Sequence, residues 1–494
     1  MSCGRASILA CGLVLAISAC GGGSDEAEDA GGASEPTVTA PADPEPSPTT
    51  RPEDPDATGF AATVLPIVEV TCARCHTGDG PGTPFLRLDT VADLIDNVGL
   101  ISSVLDRNEM PPWPASDLSV AFADDWSLSA DDRQTLLTWT GGGAIVDIDE
   151  STVVNPSTGV RRLSNPDLEL ASEGSYDGTR YQNDEYRCLV FDPGFTEPSW
   201  VQGFEFVPDQ TEVVHHAIGY LVSGGLRDRA TELDAEQPEQ GGWSCFGGSR
   251  LGRDEIFLGW APGQGPTEFP PGSGLRMEAG EFIVMQIHYH FEVEAPADRS
   301  TLHLDLVEDD GAESLDEVDV VEFLAPAEIP CTSEEEGPLC DRDAALRNAV
   351  EAYGEEGVRA DAALLICRSV VADFAHMTDG TASSSCDLPA RATGELVSVF
   401  GHEHEIGSSF RMTLNPDTAD ELVLLDIPDW SFDWQLNYHP LEAIDIDAND
   451  IVRIECSWDR SRRNRDLEPA YVLWADGTND EMCFATMVIR TTGR

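Results

Sequence analysis

The run Phe282-Ile283-Val284-Met285-Gln286-Ile287-His288-Tyr289-His290 sets the reading of the chain after residue 150. Residues 282–289 are one of several short β-rich runs, with 203–207, 302–307 and 451–456, that alternate with Gly/Pro turns. Strands punctuated in this way predict antiparallel β-sandwiches rather than βαβ units. No G-x-G-x-x-G, P-loop or H-E-x-x-H pattern occurs among them. The same run ends in His-x-His, and residues i and i+2 of a strand share a face. Fold and chemistry are therefore legible in one stretch.

Histidine is concentrated rather than scattered. Three clusters stand out: Val213-Val214-His215-His216, the run ending at His288 and His290, and Phe400-Gly401-His402-Glu403-His404. On a strand His402 and His404 can share a metal while Glu403 points away, and His288 with His290 could do the same. Singly, each has a plain reading as a satisfied or exposed histidine. Together they suit copper, zinc or iron. His303, His376 and His439 read as structural or surface residues.

The chain has 494 residues, 91 acidic and 29 basic side chains, and a net charge of −62. Such a surface excludes a general nucleic-acid binder, which needs basic patches. Every basic residue is Arg, so no lysine Schiff base and no P-loop lysine can form. At roughly 150 residues per domain the length suggests about three domains.

Residues 1–20 carry Arg5, an apolar run over 8–17 and Ile17-Ser18-Ala19-Cys20. This resembles a lipoprotein signal with the lipid on Cys20; a plain secretory signal is the other reading. Either predicts an exported protein, and Gly21 after the Cys favours the outer membrane by analogy. Residues 21–58 hold seven Pro and ten acids against Arg51, and read as a disordered acidic linker. Setting aside Cys3, Cys11, Cys20, Cys72 and Cys75, eight Cys remain for disulfides in an oxidising compartment.

Residues 59–150 are read as a separate domain. Cys72-Ala73-Arg74-Cys75-His76 has the C-x-x-C-H spacing of covalent heme attachment, with His76 as axial ligand. A redox C-x-x-C with a chance His is the alternative. An apolar helix over 60–70 precedes it, and Met110-Pro111-Pro112 follows with a candidate axial thioether. Ser129 caps a closing helix through Leu136, Leu137 and Trp139 that ends at Gly141-Gly142-Gly143. Together these resemble an all-α class I cytochrome c holding one covalently bound heme c through Cys72, Cys75, His76 and Met110.

Taken in order, Val-Val-His-His, Val-Met-Gln-Ile-His-Tyr, His-Glu-His and Gly477-Thr478-Asn479-Asp480-Glu481-Met482-Cys483 resemble the type II copper monooxygenases, the peptidylglycine alpha-hydroxylating and dopamine beta-hydroxylating family. The resemblance covers about residues 165–494. It implies two jelly-roll sandwiches, 165–325 and 326–494, each with one copper, the second carrying an insertion at about 331–389. His215, His216 and His288 would hold the electron-transfer copper; His290 is the rival to His288. His402, His404 and Met482 would hold the copper that meets dioxygen, a soft thioether favouring Cu(I). The family bridge in the second domain falls on Cys456 and Cys483. Cys188 matches an early family Cys whose usual partner, near Asp298, is missing; Cys245 is taken in its place. Cys331 with Cys340 and Cys367 with Cys386 read as local pairs.

The peptide enzymes hold their substrate carboxylate with an Arg, an Asn and a Tyr, and the matching positions here are Phe400, Phe484 and Thr486. No anion clamp survives, so a small non-peptide substrate is expected. The implied activity is hydroxylation of a C–H bond with dioxygen. Electrons would come from an external donor, an ascorbate-like reductant or a periplasmic carrier. They would pass to the heme, then the three-histidine copper, then the methionine copper. The alternative is a heme and copper electron-transfer lipoprotein without turnover.

Overall fold

The computed structural model describes residues 59–491, apart from 79, 124, 158–160, 173, 177, 179–182, 238–240, 246–247, 253–254, 292–296, 308–314 and 356, and apart from the side chains of 183, 184, 255 and 291. The leader, Cys20 and the acidic linker lie outside the described residues. The rest is mostly β-sheet with few helices, arranged as β-sandwiches. No described helix is long and apolar enough to cross a membrane.

Helices dominate up to residue 141: Phe60–Thr63, Leu65–Thr71, Ala73–His76, Val91–Asp96, Val98–Asp106 and Ala130–Gly141. The single helix expected over 60–70 is divided at Val64. Pro66 explains the break: it has no N–H for the preceding turn, and it sits in the first turn of the second piece. Thr90 and Asp93 form a capping box, and Ser129 Oγ accepts the Asp132 N–H at 3.1 Å. The first and last helices close on each other where the Phe60 and Trp139 rings meet at 5.3 Å.

The β part is built on a nine-stranded sheet that serves two sandwiches. Its first half, with Thr301–Leu306 and Ser199–Val207, faces a five-stranded antiparallel sheet. That sheet carries Asn183–Phe191, Phe282–Phe291, Val214–Val222 and Glu255–Trp260. Phe204, Phe206, Trp260, Met285 and Ile287 fill the space between. The second half, with Phe484–Thr491 and Gly394–His402, faces a four-stranded sheet of Thr381–Pro389, Ile451–Asp459, Gly407–Leu414 and Leu422–Ile427. Phe410, Trp458, Met487 and Ile489 form that core.

The sheet does not pause at residue 325. Asp316–Leu324 pairs with Phe484–Thr491 along seven residues and in parallel with Ser273 and Gly274 at its start. It therefore stitches the sandwiches together. Thr381–Pro389, placed inside the insertion by sequence, pairs residue for residue with Ile451–Asp459. The helical segment therefore ends before Thr381. The run Thr381-Ala-Ser-Ser-Ser-Cys is poor in aliphatic residues, which hides the strand from a hydrophobicity reading.

All eight candidate Cys are paired: Cys188–Cys245, Cys331–Cys340, Cys367–Cys386 and Cys456–Cys483. Cys456 belongs to the four-stranded sheet, and Cys483 precedes Phe484 of the nine-stranded one. Their bond is thus a staple across the second sandwich, closing a separation of 27 residues. For a loop of that length the chain-entropy cost is about 3–4 kcal/mol. Removing both sulfurs (Cys456→Ala with Cys483→Ala) should lower the urea midpoint accordingly. An unchanged midpoint would show that the staple contributes nothing.

Candidate functional site

A bulge creates the first histidine cluster. Val214 faces Tyr289 and His216 faces His288, so His215 is an extra residue with no partner across the ladder. Adjacent strand residues ordinarily point to opposite faces, and a bulge re-aims one of them. Here His216 Nδ1 lies 3.2 Å from His215 Nδ1 and 3.3 Å from His288 Nδ1. One nitrogen of each of the three falls within 4.8 Å of the others. Tetrahedral nitrogen ligands at about 2.0 Å from an ion sit about 3.3 Å apart, so the spacing fits a metal. The His290 ring stands 6.1 Å from that of His215 and contributes no atom to the group.

The second cluster forms at a strand end. His402 closes Gly394–His402, and His404 follows two residues on with ring centroids 5.0 Å apart. Phe484 faces His402 across the ladder, so Met482 lies two residues from the position opposite His402. Glu481 ties Met482 to His404. Its carboxylate accepts backbone N–H groups from His404 (2.8 Å), Ile406 (2.8 Å) and Met482 (3.2 Å), and the Trp458 indole N–H (3.1 Å).

Hydrogen bonds decide which nitrogen each imidazole offers, because a carbonyl or carboxylate oxygen forces the facing nitrogen to carry the proton. His215 Nε2 donates to Asp433 Oδ1 at 3.3 Å, leaving Nδ1 with its lone pair. His404 Nδ1 donates to the Asp480 carbonyl at 3.2 Å, and His402 Nδ1 to Gln435 Oε1, leaving Nε2 on both. The Gln435 amide is itself oriented by its own N–H bond to the Phe432 carbonyl at 2.7 Å. The first cluster thus offers Nδ1 on His215, with the Nδ1 atoms of His216 and His288 converging beside it, and the second offers Nε2 atoms.

Burial keeps His216, His402 and His404 neutral. Desolvation pulls His402 down to about 4 and, with repulsion from His402, His404 to about 3. His216 falls well below the imidazole range through burial and then through its four histidine neighbours, His288 first. Behind the pair, burial and then Glu481 push Glu403 well above the carboxyl range. Burial pushes Glu481 up to about 8 against its N–H donors. With those donors, Glu481 is the better seat for a negative charge, and Glu403 keeps its proton.

One loop touches both clusters. The Phe432 ring stacks on His215 at 5.7 Å and meets His404 edge-on at 6.3 Å. Asp433 binds His215 and Gln435 binds His402. Tyr186 lies flat on His288 at 4.2 Å. The histidine reading missed these residues and Glu481. Glu481 stands next to Met482 in sequence, but nothing local marks Tyr186 or the 432–435 loop.

The C-x-x-C-H turn has a matching logic. Cys72 and Cys75 stand outside any disulfide, while the eight Cys above are all paired. His76 Nδ1 donates to the Leu86 carbonyl at 2.8 Å and leaves Nε2 as the ligating atom. A side chain at Gly82 would meet the His76 ring at 2.7 Å, so glycine gives the ring its room. Arg74 lies over the Trp126 ring at 4.4 Å, and Trp126 Nε1 donates to the Pro112 carbonyl at 3.3 Å. Those contacts bring the loop holding half-buried Met110 alongside the turn.

No family model matches the chain, and no curated protein matches it. Among solved structures, an allantoicase is 10% identical and covers 62% of this chain and 84% of its own, with a TM-score of 0.15. A Bacillus subtilis oxalate decarboxylase is 10% identical, covering 69% of this chain and 81% of its own, with a TM-score of 0.10. At such scores neither likeness carries an argument.

Proposed function

We propose that the protein is a copper-dependent monooxygenase that hydroxylates a C–H bond of a small non-peptide substrate with dioxygen, supplied with electrons through a fused c-type heme. The observation that carries this reading is the pairing of two unlike donor sets on adjoining sandwiches. One is His215, His216 and His288, presenting Nδ1. The other is His402 and His404, presenting Nε2, with Met482 two residues from the strand position opposite His402. Burial holds His216, His402 and His404 neutral, and each of His215, His402 and His404 has its second nitrogen anchored, as ligands require. Copper bound there would supply one-electron chemistry and dioxygen activation, and heme on Cys72, Cys75, His76 and Met110 a one-electron carrier.

The chain's own residues do the positioning. Glu481 sets His404 and Met482 in one frame, Gln435 orients His402, and Asp433 with Phe432 fixes His215. Phe400 stacks near His402 at 6.1 Å, and Phe484 faces it, so the wall here is aromatic rather than cationic. An apolar or aromatic substrate fits such a wall. Loss of a carboxylate partner of a ligating histidine costs about 10–100-fold in metal affinity. Asp433→Ala should therefore weaken copper at the first cluster by that factor and leave the second unchanged, as read by competitive titration. Equal affinity in the variant would remove Asp433 from the design.

The test of the proposal is an isotope experiment on copper-loaded protein with aromatic and aliphatic candidates. Under labelled dioxygen, one labelled atom should appear in an alcohol product and the other in water. Copper-bound protein that consumes no dioxygen with any candidate and any one-electron donor would instead be an electron carrier.

A further inference from the structure

The helical region is joined to the second sandwich by a strap, and the strap is aromatic. Ser116 N–H donates to the Asp426 carbonyl (2.8 Å) and Val120 N–H to the Val423 carbonyl (3.0 Å). Ala123 N–H donates to the His439 carbonyl (2.8 Å), and Leu441 N–H returns to the Ala121 carbonyl (2.8 Å). Phe122 is buried in the second core, with Trp113 and Trp126 packed against it.

These rings form a column. Arg74, between the two Cys of the C-x-x-C-H turn, lies 4.4 Å over Trp126. Trp126 meets Trp113 at 4.9 Å, and Trp113 meets Tyr438 at 5.2 Å, both edge-on. All are within the spacing of packed aromatic pairs. Tyr438 exchanges two backbone hydrogen bonds with Val399, each 2.9 Å. Val399 is on Gly394–His402, three residues before His402, and Gln435, three residues before Tyr438, holds His402 Nδ1. The column therefore ends on the strand that carries His402, and the last stretch to the pair runs along the chain from Val399 to His402. From there Phe432 leads on to His215.

We infer that Trp126, Trp113 and Tyr438 are the path by which electrons leave the C-x-x-C-H centre, and that they reach the His402/His404 pair before the His215/His216/His288 cluster. The inference rests on the metal assignments proposed above and reverses the order the sequence suggested. Electron tunnelling falls steeply with distance and with every gap between atoms, and a continuous ring column keeps the gaps short. The step moves one electron: heme iron goes from ferrous to ferric, and cupric copper at the pair becomes cuprous. The heme is first reduced by a one-electron donor of the ascorbate or small carrier class. No proton need move, and among the described residues nothing hydrogen-bonds the buried Tyr438 hydroxyl to receive one.

The experiment follows the heme band after flash reduction of full-length, copper-loaded protein without substrate, so it does not depend on turnover. Fast reoxidation should survive His215→Ala and disappear in His402→Ala. It should slow at least severalfold in Trp113→Leu and in Trp126→Leu, with Trp113→Phe close to the parent. Heme spectrum and the copper retained at the unaltered cluster serve as the check that each variant is folded. Reoxidation that vanishes in His215→Ala but persists in His402→Ala would overturn the inference. So would a parent rate in both Trp→Leu variants, or no reoxidation at all in protein that holds both groups. Failure to take up heme or copper is a different result: it removes the proposed centres, and this path with them.

Discussion

His216→Ala is expected to empty one copper site and leave the other filled. His216 is the hub of the first cluster, with its Nδ1 3.2 and 3.3 Å from those of His215 and His288. Without it the two remaining imidazoles keep no common neighbour. The second cluster draws its ligands and anchors from Gly394–His402, the 432–435 loop and the 480–482 segment, so it should be untouched. Dialysed protein should therefore fall from two copper ions per chain to one, and the retained copper should still be lost on His402→Ala. The fold should survive, because alanine keeps the backbone pairing of Val214–Val222 with Phe282–Phe291. Retention of both ions, or loss of both with the fold intact, would show that the clusters are not separate sites.

Glu481→Ala is expected to damage the whole second sandwich. Glu481 is fully buried, and four N–H donors end on its two oxygens. Each donor left unpaired in a buried setting costs about 1–3 kcal/mol. Four of them amount to several kcal/mol, against a total stability of about 5–15 kcal/mol for an ordinary domain. The variant should show a large drop in urea midpoint and lose the second copper even when kept folded at low temperature. Glu481→Gln keeps one acceptor oxygen and should lie between the two. A midpoint equal to that of the parent in Glu481→Ala would mean that other groups or water satisfy those donors.

How much of this could be read from the sequence depends on how local each signal is. The strands at 203–207, 282–289, 302–307 and 451–456 carry their own pattern, and each falls on an observed strand, with Val307 alone past its end. Ser129 announced its helix because a cap acts within three residues. His402 and His404 share a face by strand periodicity alone. His215 and His216 do not: adjacent residues converge only because a bulge shifts the ladder against Phe282–Phe291, and a bulge depends on the partner strand. Tyr186 reaches His288 through strand pairing, and Phe432 reaches both clusters through a loop from the other sandwich. Such contacts belong to the assembled molecule, and no spacing rule encodes them. The split at Val64 is the opposite case, since Pro66 marked it in plain view.

The aromatic strap explains why helical and sandwich parts share one chain. Tethering raises local concentration, but a tether alone leaves orientation free. Four backbone hydrogen bonds and the Trp113–Phe122–Tyr438 group fix it instead. The 432–435 loop likewise holds the two histidine clusters in register with each other.

The central claim is that the chain builds two unlike cages, one of nitrogen alone and one that includes sulfur. Copper-edge X-ray absorption of the reduced, copper-loaded protein tests it most directly. The account predicts imidazole nitrogen at both ions with one sulfur neighbour for every two coppers, and loss of that sulfur signal in Met482→Ile with nitrogen retained. A spectrum with nitrogen only in the parent protein, or a sulfur signal unchanged in Met482→Ile, would contradict it.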